Sequence, residues 1–111
     1  MALFMLMGKY SPDALKGIME SGSDREAAAR TLIEAVGGKL HGFYGMFGQE
    51  YNIACIIETP GNAEYIGAIA PVIMSGTFSA FKTIPLYTSG EVVQASKIAK
   101  KAAKSYKPPK S

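Results

Sequence analysis

Residues 2–10 read Ala2-Leu3-Phe4-Met5-Leu6-Met7-Gly8-Lys9-Tyr10 and stop at Ser11-Pro12. The run is far shorter than the ~20 apolar residues of a membrane span, and no cationic segment or cleavage signature accompanies it. It reads as a buried strand. Successive side chains of a strand point to opposite faces, so Leu3, Met5 and Met7 take one face while Phe4, Leu6 and Tyr10 take the other. An antiparallel strand with one wet face alternates apolar and polar residues. This one does not, and it calls for cover on both sides.

The same doubly apolar pattern recurs downstream. In residues 51–58, Ile53, Cys55 and Ile57 oppose Ala54 and Ile56; in residues 77–87, Phe78, Ile84 and Leu86 oppose Phe81 and Tyr87. Pro85 cannot donate to a ladder and places the latter strand at an edge or a bulge. Residues 39–47 form the remaining strand, joined to 51–58 through a turn at Gly48-Gln49-Glu50.

Between these strands the periodicity changes to helical. Ser11-Pro12 opens a short helix through Leu15, Ile18 and Met19, which Ser21-Gly22 ends. Ser23-Asp24-Arg25-Glu26 has capping-box spacing, opening a helix that Gly37-Gly38 closes. Pro60-Gly61-Asn62 precedes a helix with Ile66, Ile69, Ala70 and Ile73 at i, i+3, i+4 and i+7. Pro71 lies inside it and predicts a kink or an early end. Thr88-Ser89-Gly90-Glu91 is a further capping box, starting a helix to about Lys104, and Tyr106-Lys107-Pro108-Pro109 cannot continue it.

The order β-α-β-β-α-β-α is that of a ferredoxin-like α+β domain, a four-stranded antiparallel sheet with a C-terminal helix added. Residues 1–88 form that domain, and 89–111 a basic helix and proline-containing tail, packed on it or extending from it. Two helices cover one sheet face. The short tail helix could cover part of the other, but a second subunit, sheet against sheet, is the simpler partner, because an exposed apolar patch of that size marks an interface. The expected partner is therefore a second copy, as a homodimer or a larger homo-oligomer.

At 111 residues, 48% hydrophobic and 19% charged, the chain suits one globular domain. Its net charge of +3 is unevenly spread. No acidic residue follows Glu91, whereas Lys97, Lys100, Lys101, Lys104, Lys107 and Lys110 do. The lysine helix lacks arginines and interleaved aromatics, so it reads as a solvated face, and neither nucleic acid nor a membrane is an expected partner. Cys55 is the sole cysteine, which excludes an intrachain disulfide. A cytoplasmic location is the default.

With this architecture in place, the chain resembles the GYD domain family, small proteins of the dimeric α+β barrel class. The similar stretches are Gly37-Gly38-Lys39-Leu40, Phe43-Tyr44, Gly48-Gln49-Glu50-Tyr51-Asn52, Glu58-Thr59-Pro60, Lys82-Thr83-Ile84-Pro85-Leu86-Tyr87-Thr88 and Tyr106-Lys107-Pro108-Pro109. At the naming motif an additional residue separates Gly48 from Tyr51, and Asn52 stands where the family carries Asp. The resemblance implies a fold and dimerisation; it implies no particular reaction.

Few residues could carry chemistry. His41 is the only histidine and could be a general base near neutral pH. With one distant cysteine and no clustered carboxylates it makes no metal site, and no cofactor is expected. A three-residue turn at 48–50 sets 47 opposite 51 and 44 opposite 54. Tyr44, Asn52 and Glu58 then share a face with Gly42 and Ala54, like a cavity wall. Phe43, Phe47, Ile53, Cys55 and Ile57 share the other, with His41 at its end. Tyr10 and Tyr51, at strand ends, could line a pocket mouth. The leading expectation is a binding or assembly protein, holding any small apolar ligand between sheet and helices. The alternative is a cofactor-independent enzyme, monooxygenase- or isomerase-like, with His41 or Glu58 moving a proton and Tyr44 and Asn52 donating hydrogen bonds. The ligand-binding candidates are thus Tyr44, Asn52, Tyr10 and Tyr51.

Overall fold

The structure, a computed structural model, describes residues 1–109; Lys110 of the basic tail lies outside the described residues. The elements are β1 (Ala2–Tyr10), α1 (Pro12–Ser21), α2 (Arg25–Ala35), β2 (Lys39–Gly45), β3 (Ile53–Thr59), α3 (Asn62–Met74), β4 (Phe78–Leu86) and α4 (Ser89–Ala103). The strands form one antiparallel sheet in the order β2-β3-β1-β4. This is the ferredoxin-like α+β arrangement that the element order predicts.

Helix starts follow local chemistry. The Ser11 hydroxyl accepts from the Ala14 amide beside Pro12, and Gly22 ends α1 at φ 66°. At α2 the cap is Asp24 rather than the expected Ser23: its carboxylate accepts from the Ala27 amide. Thr88 and Glu91 do form the reciprocal capping box at α4. The early end expected at Pro71 does not occur, and α3 runs on to Met74. Gly67, whose carbonyl the proline leaves without a donor, and Pro71 both lie on the exposed side of the helix, where water can serve that carbonyl.

The helix side of the sheet carries the core. Phe4 and Leu6 of β1, Leu40 of β2 and Ile53, Cys55 and Ile57 of β3 pack against Ile33 of α2 and Tyr65, Ala68 and Ile69 of α3. The buried stripe of α3 is therefore rotated from the Ile66-based one that periodicity predicts: Ile66 is 63% exposed. Tyr65 decides this. Its ring stacks on Phe4 at 4.1 Å and its hydroxyl meets the Thr83 hydroxyl at 2.8 Å.

Two irregularities reset which residues face which way. Between Lys9 and Tyr10 the β1–β4 register shifts, so Phe78 pairs with Tyr10. This moves Phe78 to the helix side, against the core, and away from Ile84 and Leu86, whose face it was expected to share. Between Leu40 and Gly42 the β2–β3 register shifts, making His41 the extra residue of a bulge.

α4 leaves the body. None of its residues is buried, and it does not cover the open sheet face. The radius of gyration is 18.2 Å with extents of 59 × 35 × 22 Å, against roughly 13 Å for a compact chain of this length.

Candidate functional site

Residues paired across antiparallel strands share a face, so the register maps the side of the sheet that no core residue occupies. One row across it is Gly42, Ile56, Met5 and Ile84. On one side of it lies Lys39, Glu58, Leu3 and Leu86, and on the other Tyr44, Ala54, Met7 and Lys82. The centre of this open face is apolar, and the β2 edge is polar. Leu3, Met5, Met7, Ile56, Ile84 and Leu86 are each only partly buried, and none belongs to the core.

The pairing of Tyr44 with Ala54 is the one the turn register predicts. The turn itself is longer, since Met46 N–H bonds to Asn52 C=O at 2.6 Å and β3 begins only at Ile53. The bulge has the larger consequence. Expected beside the core-facing set, His41 is instead exposed on the open side, where its Nε2 lies 2.7 Å from Glu58 Oε1. Without the extra residue it would keep the parity of Phe43 and point into the helices. Glycine inside a strand often marks a bulge, and Gly42 after His41 was the available signal.

Tyr44 lies three residues beyond His41 along the same strand. A Cβ placed on Gly42 would stand 2.7 Å from Tyr44 Cε2 and 3.2 Å from its hydroxyl, so the ring lies folded back along β2 over the glycine. A side chain at 42 would push this exposed ring aside. His41 and Glu58 thus form a polar pair at the edge of an apolar face, with the Tyr44 ring folded over the neighbouring Gly42. The His41 and Glu58 side chains remain 37% and 27% exposed, so their bond sits in a partly wet, high-dielectric setting.

The other candidates lie elsewhere. Asn52 is a strap: its Oδ1 accepts from the Tyr10 amide at 2.8 Å and its own amide donates to Gly8 C=O at 2.8 Å. Six residues of strand, ~20 Å, separate it from Glu58, so it does not join the His41–Glu58 pair. Tyr10 lies against Phe78 with ring centres 5.6 Å apart, and burial raises its phenol pKa although Arg25 partly offsets this. Tyr51 stands under Lys82, whose Nζ is 5.3 Å from the ring centre. Lys82 was not anticipated as a site residue; its register with Met7 places it at the far rim of the open face.

Between sheet and helices there is little space. The cavity lined by Leu6, Ile33, Phe43, Cys55 and Ile69 measures about 60 Å³, too small for a ligand that needs roughly 300 Å³. A shallow apolar groove of about 310 Å³ runs along Tyr65, Ile66, Ile73 and Met74 of α3 and Phe81 and Thr83 of β4. A wider hollow lies by Tyr10, Leu15, Phe47 and Asn52. His41, Glu58 and Tyr44 line none of these. Cys55 is 2% exposed, and burial pushes its thiol up to about 12, which removes it as a nucleophile near neutrality. Among the described residues no three of His, Cys, Asp and Glu gather as metal ligands, and no helix is long and apolar enough to cross a membrane.

The family model of the GYD domain matches residues 4–96, from β1 into α4. No curated protein and no solved structure matches the chain.

Proposed function

We propose a role for this chain, which belongs to the GYD domain family, as a homo-oligomeric binding module. Two copies pair open face to open face, as in a dimeric α+β barrel, and a small, largely apolar ligand sits at the seam between them. The observation that supports this is the row Gly42, Ile56, Met5 and Ile84, an apolar strip across all four strands with no helix over it.

Paired sheets stand about 10 Å apart, which turns a half-wet apolar face into a lined slot. Met5 and Met7 give that slot adaptable, polarisable walls. His41, Glu58 and Tyr44 stand at its edge and offer a hydrogen-bond donor and acceptor to one polar group of a ligand. The cavity of about 60 Å³ in the core is too small for such a molecule, and the groove beside α3 has neither His41 nor Glu58 in its wall, whereas the seam combines apolar walls with that polar pair.

Methionine oxidation tests the pairing directly. Met19 is 71% exposed on α1 and serves as the internal standard. With mild peroxide, Met5 and Met7 should oxidise much more slowly than Met19 at high protein concentration, and the protection should fade on dilution. Protection of Met5 and Met7 that is the same at every concentration would reject pairing through this face.

A further inference from the structure

The helix layer stops short of β4. α2 and α3 cover the buried positions of β2, β3 and β1, while on β4 Phe81 is 44% exposed and Thr83 and Pro85 are also exposed. The groove of about 310 Å³ between α3 and β4 is the place a third helix would occupy. Its upper wall carries Ile66 and Met74, 63% and 83% exposed. The same molecule carries a helix without a bed. α4 has Val92, Ala95, Ala99 and Ala102 at i, i+3, i+7 and i+10, flanked by Ile98, with Lys97, Lys100, Lys101 and Lys104 on the opposite side.

We infer that α4 of one copy docks in the α3–β4 groove of a second copy, its alanine face against α3 and β4 and its lysines outward. Sizes agree: α4 has 15 residues and α3 has 13, so both are roughly 20 Å long. Alanines allow the short interaxial distance, near 8 Å, that a narrow groove requires. Charge agrees as well. Six of the 12 Lys+Arg follow Glu91 and all nine Asp+Glu precede or include it, so residues 1–91 carry −3 and attract another copy's arm.

A second copy fits better than the same chain. Only Tyr87 and Thr88 separate β4 from α4, and Thr88 is extended, with its cap bonds in place while α4 points away from the body. Exchange of a terminal element is a low-cost route to association. A lipid surface fits less well, since α4 has no aromatic residue and its apolar face is mostly alanine. This docking uses the helix side of the sheet and does not rest on the open-face pairing.

The test cross-links two full-length variants, Ile98→Cys in isotopically labelled chain and Met74→Cys in unlabelled chain, with a short bis-maleimide. Both positions are exposed, and the buried Cys55 does not compete. Docking at millimolar effective concentration should give the mixed-mass product on the order of a hundred times faster than random collision at micromolar protein. In a chain that carries both substitutions, Met74→Cys and Ile98→Cys, a link formed only within single chains overturns the inference in favour of a folded-back arm. No link above the collisional rate also overturns it, and binding to phosphatidylserine vesicles would then assign the arm to membranes. Repeating the reaction with Ile56→Lys chains separates the two claims. A link that persists there stands without the open-face pairing, whereas a wild-type oligomer without a link leaves only the pairing.

Discussion

Ile56→Lys places a charge at the middle of the open face, between Gly42 and Met5 in the register. Four strands about 4.8 Å apart and seven to nine residues long, at about 3.3 Å per residue, make a face of roughly 20 × 25 Å. Two such faces bury on the order of 1,000 Å² or more, the lower range of specific interfaces. At about 25 cal/mol per Å² the gross gain is roughly 25 kcal/mol, most of which association entropy and polar desolvation offset. Burying an unpaired ammonium costs several kcal/mol, and a two-fold interface contains it twice. Taking only about 2 kcal/mol per copy, the dimer weakens by roughly 4 kcal/mol, about a thousand-fold in Kd. The substituted monomer should still fold, because Ile56 lies outside the core. Sedimentation velocity over a hundred-fold range of concentration, with circular dichroism as the folding control, reads this out. An Ile56→Lys protein that remains folded and keeps the wild-type mass would refute the reasoning.

Three further outcomes follow from the geometry. Asn52→Ala removes the acceptor for the Tyr10 amide and should cost about 1–2 kcal/mol in denaturant unfolding, whereas Asn52→Asp keeps the acceptor and should stay within about 0.5 kcal/mol. Gly38→Ala would set a Cβ 2.5 Å from the Glu58 carbonyl oxygen and 2.8 Å from Ile33 Cγ2, costing about 1–3 kcal/mol; Gly17→Ala meets nothing within 4 Å and should stabilise α1 by about 0.5–1 kcal/mol. Both melting temperatures can be measured side by side, and equal signs would contradict the stated contacts. The Cys55 thiol, raised by burial from 9.0 to about 12, holds its proton more tightly in the folded chain than in the unfolded one. Its contribution is therefore complete below pH 9 and lost progressively between pH 9 and 12, on the order of 4 kcal/mol in all. Tyr65 and Tyr10, also raised by burial, steepen the fall above pH 10, and Cys55→Ala should flatten the lower part of it.

Strand identity was legible because Leu3 to Met7, Ala54 to Ile57 and the 44–54 pairing all obey simple parity. What parity cannot see is an extra residue. The bulge at His41 reverses its face and brings it to Glu58, so two candidates named separately became one cluster. The shift beside Tyr10 moved Phe78 in the same way. Parity and polarity place Asn52 in a cavity wall with Tyr44 and Glu58; only tertiary contact reveals that its oxygen accepts from the Tyr10 amide. On α3, periodicity chose Ile66, but stacking on Phe4 and the Thr83 bond chose Tyr65. That quarter-turn left Ile66 and Met74 beside β4, creating the groove.

The proposed interface between copies of this chain is the open sheet face. Sedimentation equilibrium of the wild-type protein from sub-micromolar to about 100 µM tests it most directly. Pairing through this face gives at least twice the 11.8 kDa chain mass through the upper part of that range, with a monomer emerging on dilution. A folded, soluble species of 11.8 kDa at every concentration would contradict it, for Leu3, Met5, Ile56 and Ile84 would then face water with no partner.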